Sequence, residues 1–117
     1  ITSIALGDYT GDGYPDMAIL SGTNGAGNAA NPGLYLYKYN TTTGLLTADT
    51  TLVAAQTIAR GVKFMDFNGD GHLDIVFGVH DPATYTQKIC RLINDGNGVF
   101  GAASCVTKTG TAGANPY

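Results

Sequence analysis

The chain has 117 residues, six Lys and Arg against nine Asp and Glu, and a formal net charge of −3. That length carries one ordinary domain with a modest core. No basic stripe runs along it, which argues against a nucleic-acid binder, and no run approaches the roughly 18 apolar residues of a membrane-spanning helix.

Ile1 opens directly into strand-like sequence with no initiator Met or signal peptide ahead of it, as expected of a processed chain or a segment of a longer one. Residues 1–7 read as a short strand. Then comes Asp8-Tyr9-Thr10-Gly11-Asp12-Gly13-Tyr14-Pro15-Asp16, with oxygen-bearing side chains at positions 1, 3, 5 and 9 and glycines at 4 and 6. A hard cation such as Ca²⁺ takes about six to eight oxygens at about 2.3–2.6 Å. A short loop supplies that many only by curling tightly, which glycines permit. The backbone carbonyl at position 7 (Tyr14) is expected to turn inward as a further ligand. The apolar run after the loop, Met17 to Leu20, reads as a strand, so the loop joins two strands and is not an EF-hand. A calcium-loop Glu at position 12 is also missing; the chain contains no Glu.

Residues 21–33, rich in Gly, Asn and Ala, read as a long exposed loop. Leu34 to Tyr39 is the next strand, with Tyr35, Tyr37 and Tyr39 on one face by two-residue periodicity. That stripe is a sugar-stacking platform or, the preferred reading, packing between neighbouring sheets. Asn40 to Gly44 makes a turn, and Leu45 to Ala54 returns as a Thr-rich strand. Asn40-Thr41-Thr42 in that turn is an N-glycosylation acceptor triplet. The Thr clusters suit exposed strands better than O-glycosylation.

The pattern then repeats. Gly61 to Met65 is a strand, and Asp66-Phe67-Asn68-Gly69-Asp70-Gly71-His72-Leu73-Asp74 places the same residue types in the same register, 58 positions on (8 to 66). The expected ligands here are Asp66, Asn68, Asp70, the His72 carbonyl and Asp74. Strands are expected at 74–79, 87–93 and 100–108, a loop at 80–84, and a tail or connector at 110–117. Six of the nine Asp lie in the two loops. The remaining three Asp against six Lys and Arg leave the rest of the chain at +3, and two bound Ca²⁺ would move the whole from −3 to +1. Nothing sustains an apolar 3.6-residue period, so the fold is expected to be all-β.

Cys90 and Cys105 flank the turn Asn94-Asp95-Gly96-Asn97-Gly98. A hairpin centred between Asn97 and Gly98 sets them directly opposite, at a spacing a disulfide spans, unless a bulge breaks the register. A disulfide, and with it an oxidising compartment, is the expectation. His72 is expected to serve through its backbone and His80 to be a loop residue. Ser3, Ser21 and Ser104 lie in no nucleophile-elbow motif; no enzymatic activity is expected.

The two cation loops, the strands after them, and Asn94-Asp95-Gly96-Asn97-Gly98-Val99-Phe100-Gly101-Ala102-Ala103 together resemble the FG-GAP/VCBS repeat, the family of the integrin α-subunit propeller blades. The first unit departs from it at Thr43-Gly44-Leu45-Leu46-Thr47-Ala48, where the Phe-Gly-Ala element is missing. The resemblance implies two four-stranded antiparallel propeller-type blades, residues 1–58 and 59–109, with a Ca²⁺ in each loop. It also implies an extracellular or cell-surface setting and a role in adhesion, ligand recognition or carbohydrate binding. Thr10 offers a neutral oxygen where the family more usually has Asp or Asn, which bears on the first site's affinity and not on its existence. Propellers typically close with about four to eight blades. Two blades therefore imply a fragment, closure with other copies or further blades, or an open head-to-tail filament. The expected partners are such copies or blades, with a glycan or surface protein as ligand. The rival readings are a structural subunit of an extracellular fibre or ring, and an accessory segment of a larger secreted enzyme.

Overall fold

The computed structural model describes residues 3–21, 33–54, 59–81 and 86–109. The expected tail at 110–117, most of the 21–33 loop and most of the 80–84 loop lie outside the described residues.

Eight strands form two four-stranded antiparallel sheets with meander order. The first holds β1 (Ser3–Gly7), β2 (Asp16–Ser21), β3 (Gly33–Asn40) and β4 (Leu45–Ala54). The second holds β5 (Ala59–Met65), β6 (Asp74–Asp81), β7 (Thr86–Leu92) and β8 (Ser104–Thr109). Among the described residues there is no helix, in keeping with the missing 3.6-residue period. Each sheet has the form of a propeller blade, and each Asp-rich loop joins its first strand to its second.

Alternation decides what each face meets. In β2 and β3, Ala18, Leu20, Leu34 and Leu36 are buried while the residues between them are only partly covered. That buried face lies on β5 and shares one apolar core with Val62, Ile75, Phe77, Cys90 and Leu92 of the second sheet. Tyr9, from the first loop, plugs the joint. Its ring stacks on Phe64 at 5.8 Å and tilts against Phe100 at 5.6 Å. Its hydroxyl donates to Asp49 on β4 at 2.8 Å, and burial together with that bond pushes the phenol pKa up. At Gly7 the first sheet passes close to the second, since a Cβ there would stand 2.9 Å from Leu73 Cδ1.

The Tyr35, Tyr37 and Tyr39 stripe lies on the face of β3 turned away from the second sheet, beside Met17 and Ile19; the opposite face, with Leu34 and Leu36, makes the contact between these two sheets. Two expectations are corrected. His80 is not in a loop but buried in β6. The strand expected at 100–108 pairs with β7 only from Ser104, while Phe100 meets Asn94 in an isolated bridge.

That last difference reveals how Cys90 meets Cys105. At the hairpin tip the paired numbers sum to 194 (Asn94 with Phe100), supported by bonds from Gly101 N to Ile93 O and Asp95 N to Val99 O. Farther down they sum to 195 (Arg91 with Ser104, Cys90 with Cys105). A one-residue slip on the return limb therefore separates the tip from the ladder. The expected register at the cysteines is present, although the tip is centred on Asn97 and not beyond it. Cys90 and Cys105 form a disulfide.

Candidate metal centres

The two loops fold alike. In each, the first Asp is wrapped by the backbone that follows it. Asp8 accepts from the amides of Gly11 (2.7 Å), Asp12 (3.1 Å) and Gly13 (2.7 Å). Asp66 accepts from Gly69 (2.8 Å), Asp70 (3.1 Å) and Gly71 (2.9 Å). Such a wrap needs left-handed backbone at both glycines: φ is 78° and 89° at Gly11 and Gly13, and 77° and 87° at Gly69 and Gly71. The fifth-position carboxylate then closes a small turn, Asp12 accepting from Tyr14 N and Asp70 from His72 N, each at 2.9 Å.

The ninth-position Asp is fully buried in both loops, and its two oxygens face different parts of the blade. One oxygen of Asp16 accepts from Tyr9 N, Thr10 N and Thr10 Oγ1 in the loop, and the other from Tyr39 N at the end of β3. Asp74 repeats this with Phe67 N on one side and Asn94 N, beyond β7, on the other. A buried carboxylate is tolerated because donors replace its water shell. Each of these residues thus latches its loop to the end of the third strand or to the residues just past it.

Carboxylate oxygens of Asp8, Asp12 and Asp16 lie within 4.8 Å of one another, as do those of Asp66, Asp70 and Asp74. Thr10 Oγ1 stands between the outer two carboxylates of the first loop, 3.3 Å from Asp8 and 3.0 Å from Asp16. In the second loop Asn68 Oδ1 accepts instead from Asp70 N at 3.3 Å. Burial pushes the Asp8 carboxyl up, but the Gly13, Gly11 and Asp12 amides and the Thr10 hydroxyl outweigh it and leave the pKa lowered. Asp70 is lowered chiefly by the His72 amide. Both stay ionised at neutral pH. Oxygen-only donor sets of three converging carboxylates in glycine-curled loops fit a hard divalent cation and lack the N and S ligands that softer metals favour.

Sequence reasoning missed Asn94, the residue that ties the two loops together. It is buried, and its Nδ2 donates to Tyr9 O (2.9 Å) in the first loop and to Leu73 O (3.0 Å) in the second. Its Oδ1 accepts from Gly96 N and Gly98 N, each at 3.0 Å, which builds the hairpin tip. The signal available was only a turn-type run, Asn94 to Gly98, which does not say what the Asn faces.

The FG-GAP-like repeat family matches residues 8–77, a span that begins at the first cation loop and runs past the second. The chain belongs to the FG-GAP-like repeat family. Neither the curated proteins nor the solved structures gave a match. The matched segment contains both loops, Tyr9 and Phe64, while Asn94 and Phe100 lie beyond it.

Proposed function

We propose that this FG-GAP chain is a calcium-stabilised extracellular β-repeat module that acts by binding, in adhesion or in recognition of a ligand such as a carbohydrate. The observation that carries it is the twofold occurrence, 58 residues apart, of three converged carboxylates in one backbone wrap. The cation is held in the first loop by Asp8, Thr10, Asp12, the Tyr14 carbonyl and Asp16, and in the second by Asp66, Asn68, Asp70, the His72 carbonyl and Asp74. Bound there, Ca²⁺ offsets the mutual repulsion of three carboxylates and fixes the connection between two strands. The ion is structural and the chain has no catalytic role. The Cys90–Cys105 disulfide is compatible with an oxidising, extracellular setting. Asn40 stands at the head of an exposed turn, its Oδ1 accepting from Thr42 N and Thr43 N, and is the glycan acceptor where the source glycosylates secreted chains.

Calorimetric titration of chelator-treated protein with Ca²⁺ tests the metal centres. Two sites are expected, the second lost in Asp70→Asn and the first in Asp12→Asn, together with a fall in melting temperature in EDTA. A melt unchanged between calcium and EDTA, with the sites demonstrably emptied, would remove the structural role. A second reading, a structural subunit of a repetitive assembly, is favoured by the apolar residues on the outward faces of both blades.

A further inference from the structure

The 58-residue repeat makes the observed joint between blades a template for what the outward faces fit. Blade 1 turns its back face toward the front face of blade 2. On that front face stand Val62, Phe64, Ile75 and Phe77, and their counterparts in blade 1 are Ile4, Leu6, Met17 and Ile19. Val62 is 4% exposed, Ile4 52%, and Leu6 64%. The front of blade 1 therefore presents counterparts of the apolar set that blade 2 buries, with Ile4 and Leu6 exposed, Met17 and Ile19 half-buried, and Tyr35 and Tyr37 beside them.

The plug is duplicated in the same way. Tyr9 is 2% exposed, clamped between Phe64 and Phe100. Its counterpart Phe67 is 50% exposed, with Arg91 over its ring at 5.3 Å. The counterparts of the clamp are Leu6 and Leu46, the latter placed by its pairing with Tyr39, as Phe100 pairs with Asn94. On the back of blade 2, Ile89 occupies the place of the buried Leu34 and is 65% exposed, while Arg91 and Lys63 stand in the places of the buried Leu36 and of Ala5.

At the position of Gly7 the sizes complement one another. Gly7 lets the observed joint close against Phe64 and Leu73. Blade 2 carries the larger Met65 in its place, and the counterparts of Phe64 and Leu73 are the smaller Leu6 and Pro15. There the added side chain meets added room, while elsewhere on that face Tyr35 and Tyr37 stand where blade 2 has the smaller Cys90 and Leu92.

We propose that the back of blade 2 docks onto the front of blade 1 of a second copy of this chain, with Phe67 seated between the partner copy's Leu6 and Leu46. The joint is heterologous, so it propagates head to tail until a ring closes or a filament grows. It deepens the assembly reading above and does not depend on an ion in either loop.

Sedimentation velocity on the 117-residue chain over roughly two decades of concentration, in calcium and in EDTA, tests it. Wild type is expected to gain mass with concentration. Leu6→Asp at the socket and Ile89→Asp on the back face each weaken association by at least about tenfold. Mixed together they form a one-to-one dimer and nothing larger, because each retains one intact face. Melting curves confirm folding, and Leu6→Asn replaces an aspartate variant that melts early. A monomer at every concentration, or both variants associating as wild type does, overturns the joint. Calcium-dependent melting without association removes the joint and leaves the metal centres standing, whereas association with a calcium-independent melt does the reverse.

Discussion

Single residues here carry more than one connection each, and Asn94 carries the most. Truncating it removes the bonds to the buried Tyr9 carbonyl and to the partly buried Leu73 carbonyl and Gly96 and Gly98 amides. Asn94→Ala is expected to lower unfolding free energy by about 2–4 kcal/mol in urea titrations. Asn94→Asp should be worse, since a carboxylate would face two carbonyls beside buried Asp74. The loop carboxylates predict an acid limit for the chelator-treated protein. The folded pKa values of Asp8 and Asp70 lie below the ordinary value of 3.8. The folded state therefore binds these protons less readily than the unfolded chain. The stability this contributes is present above 3.8 and is lost as pH falls through the folded values. Asp8→Asn should flatten that part of the stability-against-pH curve, read by denaturant midpoints between neutral pH and the acid limit. The converging carboxylates were legible from spacing alone because such a loop is a local object. Asn94 and Tyr9 were not, because their roles are set by the other sheet.

At the level of strands and turns, period-two alternation located each pair of strands, and glycine-rich turns located the connections. Alternation names two faces without saying which one is covered. For β3 the tyrosine face reads as well suited to packing as the leucine face. The second sheet meets Leu34 and Leu36, so the choice is tertiary. The hairpin at β7 and β8 shows the same limit at its tip, where Phe100 turns inward to Tyr9 before the ladder resumes. The disulfide closes that hairpin across 15 positions. By loop-closure entropy, replacing both cysteines with Ala should cost about 3 kcal/mol. The comparison is of urea midpoints for the double variant and the oxidised wild type, and reduction of the wild type should move its midpoint the same way.

For the molecule as a whole, stability rests on how closely two sheets meet. Gly7→Val tests that closeness, since even its Cβ would fall 2.9 Å from Leu73 Cδ1 and 3.0 Å from Phe64 Cδ2. A loss of about 1–3 kcal/mol is expected, seen as an earlier thermal transition, with the calcium titration unchanged from wild type. The repeat itself was readable at once from the 58-residue offset, and with it the family. Which blade lies in front was not, because the same pattern is written into both. One more consequence follows from the slip in the return limb after Phe100. Phe100 and Cys105 are five positions apart, an odd count, so unbroken alternation would aim them at opposite sides of the sheet. The extra residue restores parity, so that Phe100 reaches Tyr9 and Cys105 faces Cys90 on one side of the sheet, although Cys105 itself is exposed. Deleting Ala102 should therefore force a choice between the aromatic and the sulfur bridge, giving either titratable thiols or a hollowed joint. The length of this three-alternative stretch, Gly101-Ala102-Ala103, acts as a spatial reading frame, and its small side chains matter less than their number.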